Sequence, residues 1–187
     1  MSESHRRKKQ PERVRRQLVD VAARIASEQG VGAVTLDAVA QAAGVSKGGL
    51  LHHFPGKLPL LDGLFEHLVE EFDRALAEEM RQDPVAQGRF SRAYLRVVAD
   101  LRDNPVESRQ WAGLTMAMLN EPHLRERWRA WVEQRNTDYV GTDSSVSALI
   151  VRLAADGLWL ADVTDCQTID PEARKALVER LVAMTLA

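Results

Sequence analysis

The sequence predicts an all-α fold: a small N-terminal helix-turn-helix domain followed by a larger helical domain, about nine helices together. Three observations carry this. Alanine, leucine and arginine are the commonest residues, aromatics are few, and alternating β-branched runs are absent. Apolar residues recur at spacings of three and four along most of the chain. Proline and glycine fall where helices of ordinary length would stop and restart. The 187 residues suffice for one sizeable core or two small domains.

The elements follow in order. Residues 1–11 form a basic arm, predicted to be disordered. Glu12 to Gln29 is an amphipathic first helix with Val14, Leu18, Val21, Ala22 and Ile25 inward and Gly30 as its stop. Thr35 caps a second helix whose apolar face is Leu36, Val39, Ala40 and Ala43. Gly44 supplies a tight or left-handed turn. Ser46 caps a short third helix, Lys47 to His53, and Pro55-Gly56 ends it. Lys57 to about Arg81 is a long fourth helix, with Leu60, Leu61, Leu64, Leu68 and Phe72 on one face and Pro59 tolerated in its first turn. Asp83-Pro84, Asn104-Pro105 and Glu121-Pro122 then delimit helices five, six and seven, which end near Arg102, Leu119 and Tyr139. Gly141 to Ser145 is a turn that caps helix eight, about Ser144 to Val163, and Asp170-Pro171 opens helix nine.

Two short helices around one glycine make a helix-turn-helix, whose second helix enters the DNA major groove when the motif reads DNA. The same shape also serves as a plain structural corner. Charge separates the two readings. Residues 1–57 carry ten Lys/Arg against five acids, a net +5, and the remainder carries −7. A basic head on an acidic body suits phosphate binding at one end of the molecule.

Other functions find little support. Cys166 is the single cysteine, so neither a disulfide nor a cysteine-based metal site forms within one chain, and a reducing compartment is implied. No apolar run approaches the roughly 20 residues that span a membrane. The basic N-terminus lacks the apolar stretch of a signal peptide. A cytoplasmic protein is expected. HExxH, P-loop and dinucleotide-turn patterns are absent, and the GxSxG match at Gly44 to Gly48 is the turn and cap of the helix-turn-helix rather than a strand-to-helix elbow, so the sequence predicts no enzyme, cofactor or metal.

Residues 12–65, with IASEQGVGAVTLDAVAQAAGVSKGGLLHHFPGKLPLL at their centre, resemble the N-terminal domain of the TetR/AcrR transcriptional regulators. The rest of the chain is similar only in length and helical pattern. The resemblance implies a DNA-binding domain over 12–56 and an effector-binding and dimerisation domain over 57–187.

Within the first domain, Lys47 stands where a recognition helix reaches base edges, and its ammonium suits guanine O6/N7 or a phosphate. Ser46 precedes it as the cap. Gly48 and Gly49 let the backbone approach the duplex closely, at about 1 kcal/mol each in helix propensity. His52 and His53 offer hydrogen bonds, and Thr35 its hydroxyl and nearby backbone N–H groups. Arg13, Arg15 and Arg16 are candidates for phosphates or the minor groove. Lys57 resembles the family's backbone-clamping lysine. Leu50 and Phe54 read as core anchors. Leu51 stands where the family commonly has a phosphate-bonding tyrosine, and leucine cannot make that bond.

The resemblance also implies a small-molecule pocket within helices four to seven. Its candidate lining is Phe90, Tyr94, Trp111, Leu114, Thr115, Met118, Trp128 and Trp131, which suits a largely apolar effector. The same residue types at helical spacing also build ordinary cores. Helices eight and nine read as a dimer face, through Ser147, Ala148, Val151, Ala154, Ala155 and Leu158 on one and Ala173, Ala176, Leu177, Leu181 and Met184 on the other. A two-fold dimer implies a palindromic operator. The predicted function is a ligand-responsive repressor released from its operator by an effector. A transcriptional activator of the same family, and a helical small-ligand carrier without DNA binding, are the alternatives.

Overall fold

The computed structural model describes the backbone of residues 3–186 and the side chains of residues 11–186. Among the described residues the regular structure is entirely helical. It comprises α1 (Glu3–Gln29), α2 (Leu36–Ala43), α3 (Lys47–His53), α4 (Lys57–Gln82), α5 (Arg89–Asp100), α6 (Pro105–Asn120), α7 (Pro122–Asp138), α8 (Val140–Asp143), α9 (Val146–Thr164) and α10 (Pro171–Met184). Short 3-10 turns lie at Val31–Ala33 and Leu101–Asp103.

Two boundaries differ from the sequence prediction. α1 starts at Glu3, so the predicted disordered arm over 1–11 is helical from Glu3 onward, while Met1 and Ser2 lie outside the described residues. Arginine, lysine and glutamine are good helix formers, and extending an existing helix carries no nucleation cost. Pro11, inside α1, forfeits one backbone bond there. The second difference is α8, which makes ten helices where nine are predicted. Tyr139 accepts from the N–H groups of both Thr142 and Asp143 and winds part of the predicted Gly141–Ser145 turn into a helical one.

The chain divides into two compact units. The first runs to Glu70 and takes in Arg109–Leu124; the second comprises Glu71–Ser108 and Arg125 onward. The first compact unit thus extends beyond the predicted domain boundary at Lys57. The reason is burial: Leu60, Leu61, Leu64, Phe65 and Leu68 at the start of α4 are all buried. Gly63 marks a close approach, because a Cβ there would lie 2.8 Å from the Phe54 ring and 3.3 Å from Val19. α1, α2 and α3 pack on one another through Leu18, Ala22, Ile25, Val34, Val39, Ala40 and Leu50.

The second unit is built around α5, whose residues Phe90–Leu95, Val97 and Val98 are buried. α9 lies against it, with α8 and α10 also in contact. Arg92, buried in the first turn of this helix, directs its donors to its surroundings. Its Nε donates to Asp83 Oδ2 at 2.7 Å, Nη1 to the Gln87 carbonyl and Thr185 Oγ1, and Nη2 to the Val85 carbonyl. One guanidinium therefore ties the α4–α5 loop to the end of α10. Asp143 closes the other gap. Its Oδ1 accepts from Ser91 N–H at 2.8 Å, capping α5 from α8. Arg174 reaches Asp162 through both terminal nitrogens and fixes α10 to α9.

Candidate nucleic-acid interface and effector site

The helix-turn-helix is set by local chemistry. Thr35 Oγ1 accepts from Ala38 N–H at 3.1 Å and starts α2. Gly44 adopts φ 68°, and Val45 N–H reaches back to the Ala40 carbonyl, which ends α2 in a Schellman-type turn. Gln17 Nε2, from α1, donates to the Ala43 carbonyl and satisfies another helix-end acceptor. Ser46 Oγ then accepts from Gly49 N–H at 3.0 Å and starts α3. A Cβ at Gly49 would lie 3.3 Å from that Oγ, so this glycine has a structural reason.

Gly48 has none: a Cβ there would meet nothing within 4 Å. It pays the helix-propensity cost of glycine for an open surface. Around it Thr35, Ser46, Lys47, Gly49, His52 and Lys57 are exposed and His53 is half-buried, while Leu50 and Phe54 point into the core as predicted. Leu51 is 38% exposed and does not pack inward. The rings of His52 and His53 meet edge-on.

Two predicted cations have partners inside this unit. Arg15 lies 3.5 Å from Glu66 and stacks its guanidinium over the Phe54 ring at 4.6 Å, so it links α1 to α4. Arg13 and Arg16 are exposed. Lys47 Nζ pairs with Asp37 on α2, at 2.9 Å from Oδ1. The sequence reading missed Asp37 as a partner because an acid in the first turn of a helix is already explained by the helix dipole.

The predicted effector residues fall into both units. Trp111, Leu114, Thr115 and Met118 belong to the first, where Trp111 and Leu114 are buried and the Thr115 hydroxyl donates to the Trp111 carbonyl. Phe90, Tyr94, Trp128 and Trp131 belong to the second, and there they join a single aromatic cluster. Trp128 and Trp131 stack at 4.8 Å, Phe72 contacts Trp128, Trp131 and Tyr94, and Phe90 stacks on Tyr139 at 4.5 Å. Two carboxylates edge the cluster. Asp73 accepts from Trp131 Nε1 and from Arg135, and Asp156 accepts from the Tyr94 hydroxyl at 2.6 Å. Burial and the Asp156 charge push the Tyr94 hydroxyl well above its ordinary pKa, so it stays a donor. Phe72, Asp73 and Asp156 carried no distinguishing signal in the sequence, since each looks like an ordinary core or surface helix position.

The residues of the predicted dimer face divide between buried and exposed positions, and the buried ones are not available to a partner. Ala148, Val151, Ala155 and Leu158 are buried on the side of α9 that packs on α5, and Leu181 is buried on α10. Ser147, Ala154 and Met184 are half-buried, and Ala173, Ala176 and Leu177 are exposed. The apolar face that α9 leaves open is a different one: Val146, Leu149, Ile150, Leu153 and Leu160, with Val146 at 74% and Leu153 at 60% exposure. Small residues let α9 approach α5 closely, which is why the small-residue stripe turned inward. No helix among the described residues is long and apolar enough to cross a membrane.

Residues 18–64 match the bacterial regulatory proteins of the tetR family, and residues 88–186 match the tetracyclin repressor-like C-terminal domain. The chain belongs to the TetR family. The HTH-type transcriptional regulator BetI of Cronobacter sakazakii is 25% identical over 185 residues, covering 92% of this chain and 91% of that protein. BetI of Burkholderia mallei is also 25% identical, over 92% of this chain and 93% of its own length. Among solved structures, the transcriptional regulator SCO7518 of Streptomyces coelicolor A3(2) superposes with a TM-score of 0.75 at 19% identity, over 93% of this chain and 99% of that one. The multidrug binding protein EbrR, complexed with ethidium, superposes at 0.67 and 23% identity, over 90% of this chain and 97% of its own. This TetR-family chain is therefore a DNA-binding transcriptional regulator with an all-α fold.

Proposed function

We propose that this regulator is a repressor that binds a palindromic operator as a homodimer and is released by a small, largely apolar effector. The observation that carries the reading is Gly48: it is an exposed glycine in the first turn of α3, with no packing reason to be one. Lys47, Gly48, Gly49, Leu51 and His52 form the surface offered to the major groove. Thr35, Lys57, Arg13 and Arg16 are the phosphate contacts, and Ser46 holds the turn between them.

The effector site is the aromatic cluster of Phe90, Tyr94, Trp128 and Trp131 with Phe72. Stacked aromatics with a few polar edges suit a flat, largely apolar molecule; the ethidium bound by EbrR is likewise flat and aromatic, and it carries a positive charge. α4 carries Lys57 at its start and Phe72 in the cluster, so one helix joins the two sites in the chain. A differential affinity of about 1–3 kcal/mol between the two states of α4 weakens DNA binding about 5–150-fold. The open face of α9, with Leu177 of α10, supplies the dimer contact.

The test is Gly48→Ala. Alanine at an open helix position raises stability by about 0.5–1 kcal/mol, yet a methyl group on the groove-facing backbone weakens DNA binding. A thermal melt and a binding isotherm on the same sample read both. Unchanged DNA affinity alongside the raised melting temperature contradicts the proposed interface.

A further inference from the structure

The helix-turn-helix carries one acid in the first turn of α2, where the helix dipole favours it and nearby phosphates would repel it. Asp37 is the only carboxylate between Val34 and Lys57, and only two lysines balance it, Lys47 and Lys57. Its side chain is 73% exposed, so no buried partner demands it. Both of its oxygens reach one group: Lys47 Nζ lies 2.9 Å from Oδ1 and 3.1 Å from Oδ2. The pair bridges the first turn of α2 and the first turn of α3, across the corner of the motif.

This contact changes what Lys47 can do. A free lysine adds to the attraction for any phosphate and releases counterions when it binds, which is affinity without sequence information. A lysine already matched by a carboxylate adds little net charge. The contact also biases its ammonium toward Asp37 and turns the remaining N–H away from that carboxylate. A positioned single donor is what recognition of guanine O6 or N7 requires. The repulsion between Asp37 and nearby phosphates disfavours non-specific docking, so the same residue acts against wrong sequences.

We propose that Asp37 is a specificity-determining residue: it holds Lys47 as an oriented base-edge donor and cancels that lysine's attraction to the DNA backbone. The inference rests on the reading of α3 as the recognition helix and deepens it, by making Asp37 a positioning residue that acts through Lys47.

The experiment compares the wild-type chain with Asp37→Asn, Lys47→Gln and the double variant. Each is titrated with an unrelated duplex and with the duplex enriched from a random pool, across about 0.05–0.3 M salt. Asp37→Asn is nearly isosteric, and a thermal melt confirms its fold; Asp37→Ser, a residue that also suits a helix start, serves as the second variant. Asp37→Asn is expected to tighten binding to the unrelated duplex and steepen its salt dependence by about one counterion, a slope change of roughly 0.9. Discrimination between the two duplexes is expected to fall about tenfold. In the Lys47→Gln background the same substitution should leave discrimination where Lys47→Gln put it. A wild-type slope and wild-type discrimination in Asp37→Asn overturn the proposal, as does a full effect of Asp37→Asn in the absence of Lys47. If Lys47→Gln alone binds both duplexes as the wild type does, the reading of Lys47 as a DNA contact fails and this inference goes with it.

Discussion

Arg92 is 1% exposed and carries a permanent charge, so its position depends on the acceptors around it. Asp83 supplies the countercharge, and the loop carbonyls and Thr185 take the remaining donors. Removing the arginine strands a buried carboxylate, and Arg92→Leu is expected to cost about 3–5 kcal/mol in urea unfolding. The hydrogen bond from Arg92 holds the Asp83 carboxyl below its ordinary pKa. A depressed carboxylate contributes stability that is fully present above the unfolded value, about pH 4, and is lost as pH falls through the folded value. The stability gap between the wild type and Asp83→Asn is therefore expected to be widest at neutral pH and to narrow below about pH 4. Sequence alone placed arginine in a predicted helix and gave no sign of its burial, because its partners lie in the α4–α5 loop and at the far end of the chain.

α2 and α3 were legible nearly to the residue, since Thr35, Gly44 and Ser46 fix the ends of these helices through contacts within three to five positions. α4 was equally plain from its leucine repeat. Gly63 inside it was not, because its cause is a ring from α3's end. Gly63→Ala forces a methyl group to 2.8 Å from Phe54 and is expected to destabilise the protein by about 1–3 kcal/mol, read by a thermal or urea melt, unlike Gly48→Ala, where space is open. α9 shows the opposite failure. Apolar residues lie on several of its faces, so periodicity does not say which face meets α5. The structure does: alanines inward, Leu149, Leu153 and their neighbours outward. Half of the predicted effector lining, Phe90, Tyr94, Trp128 and Trp131, lies in the aromatic cluster of the second unit. The other half of the predicted lining lies in the first unit, because contiguity along α6 and α7 says nothing of where the division between compact units falls.

At the scale of the whole molecule, the proposed dimer contact is the exposed apolar face of α9. Leu149→Glu with Leu153→Glu places two charges on residues that are 48% and 60% exposed in the protomer. The fold is expected to persist and the dimer to dissociate, which sedimentation velocity would show as a halved mass; a dimer unchanged in mass would move the interface elsewhere. On the proposed reading, a dimer built on this face presents two recognition helices to one duplex. Selection of bound sequences from a random duplex pool, at about 0.15 M salt, tests that most directly. The account predicts enrichment of a palindrome whose half-sites lie roughly one helical turn apart, about 34–36 Å or a little more. Enrichment of a single half-site without symmetry, or of no sequence at all from protein freed of ligand by unfolding and refolding, would contradict it.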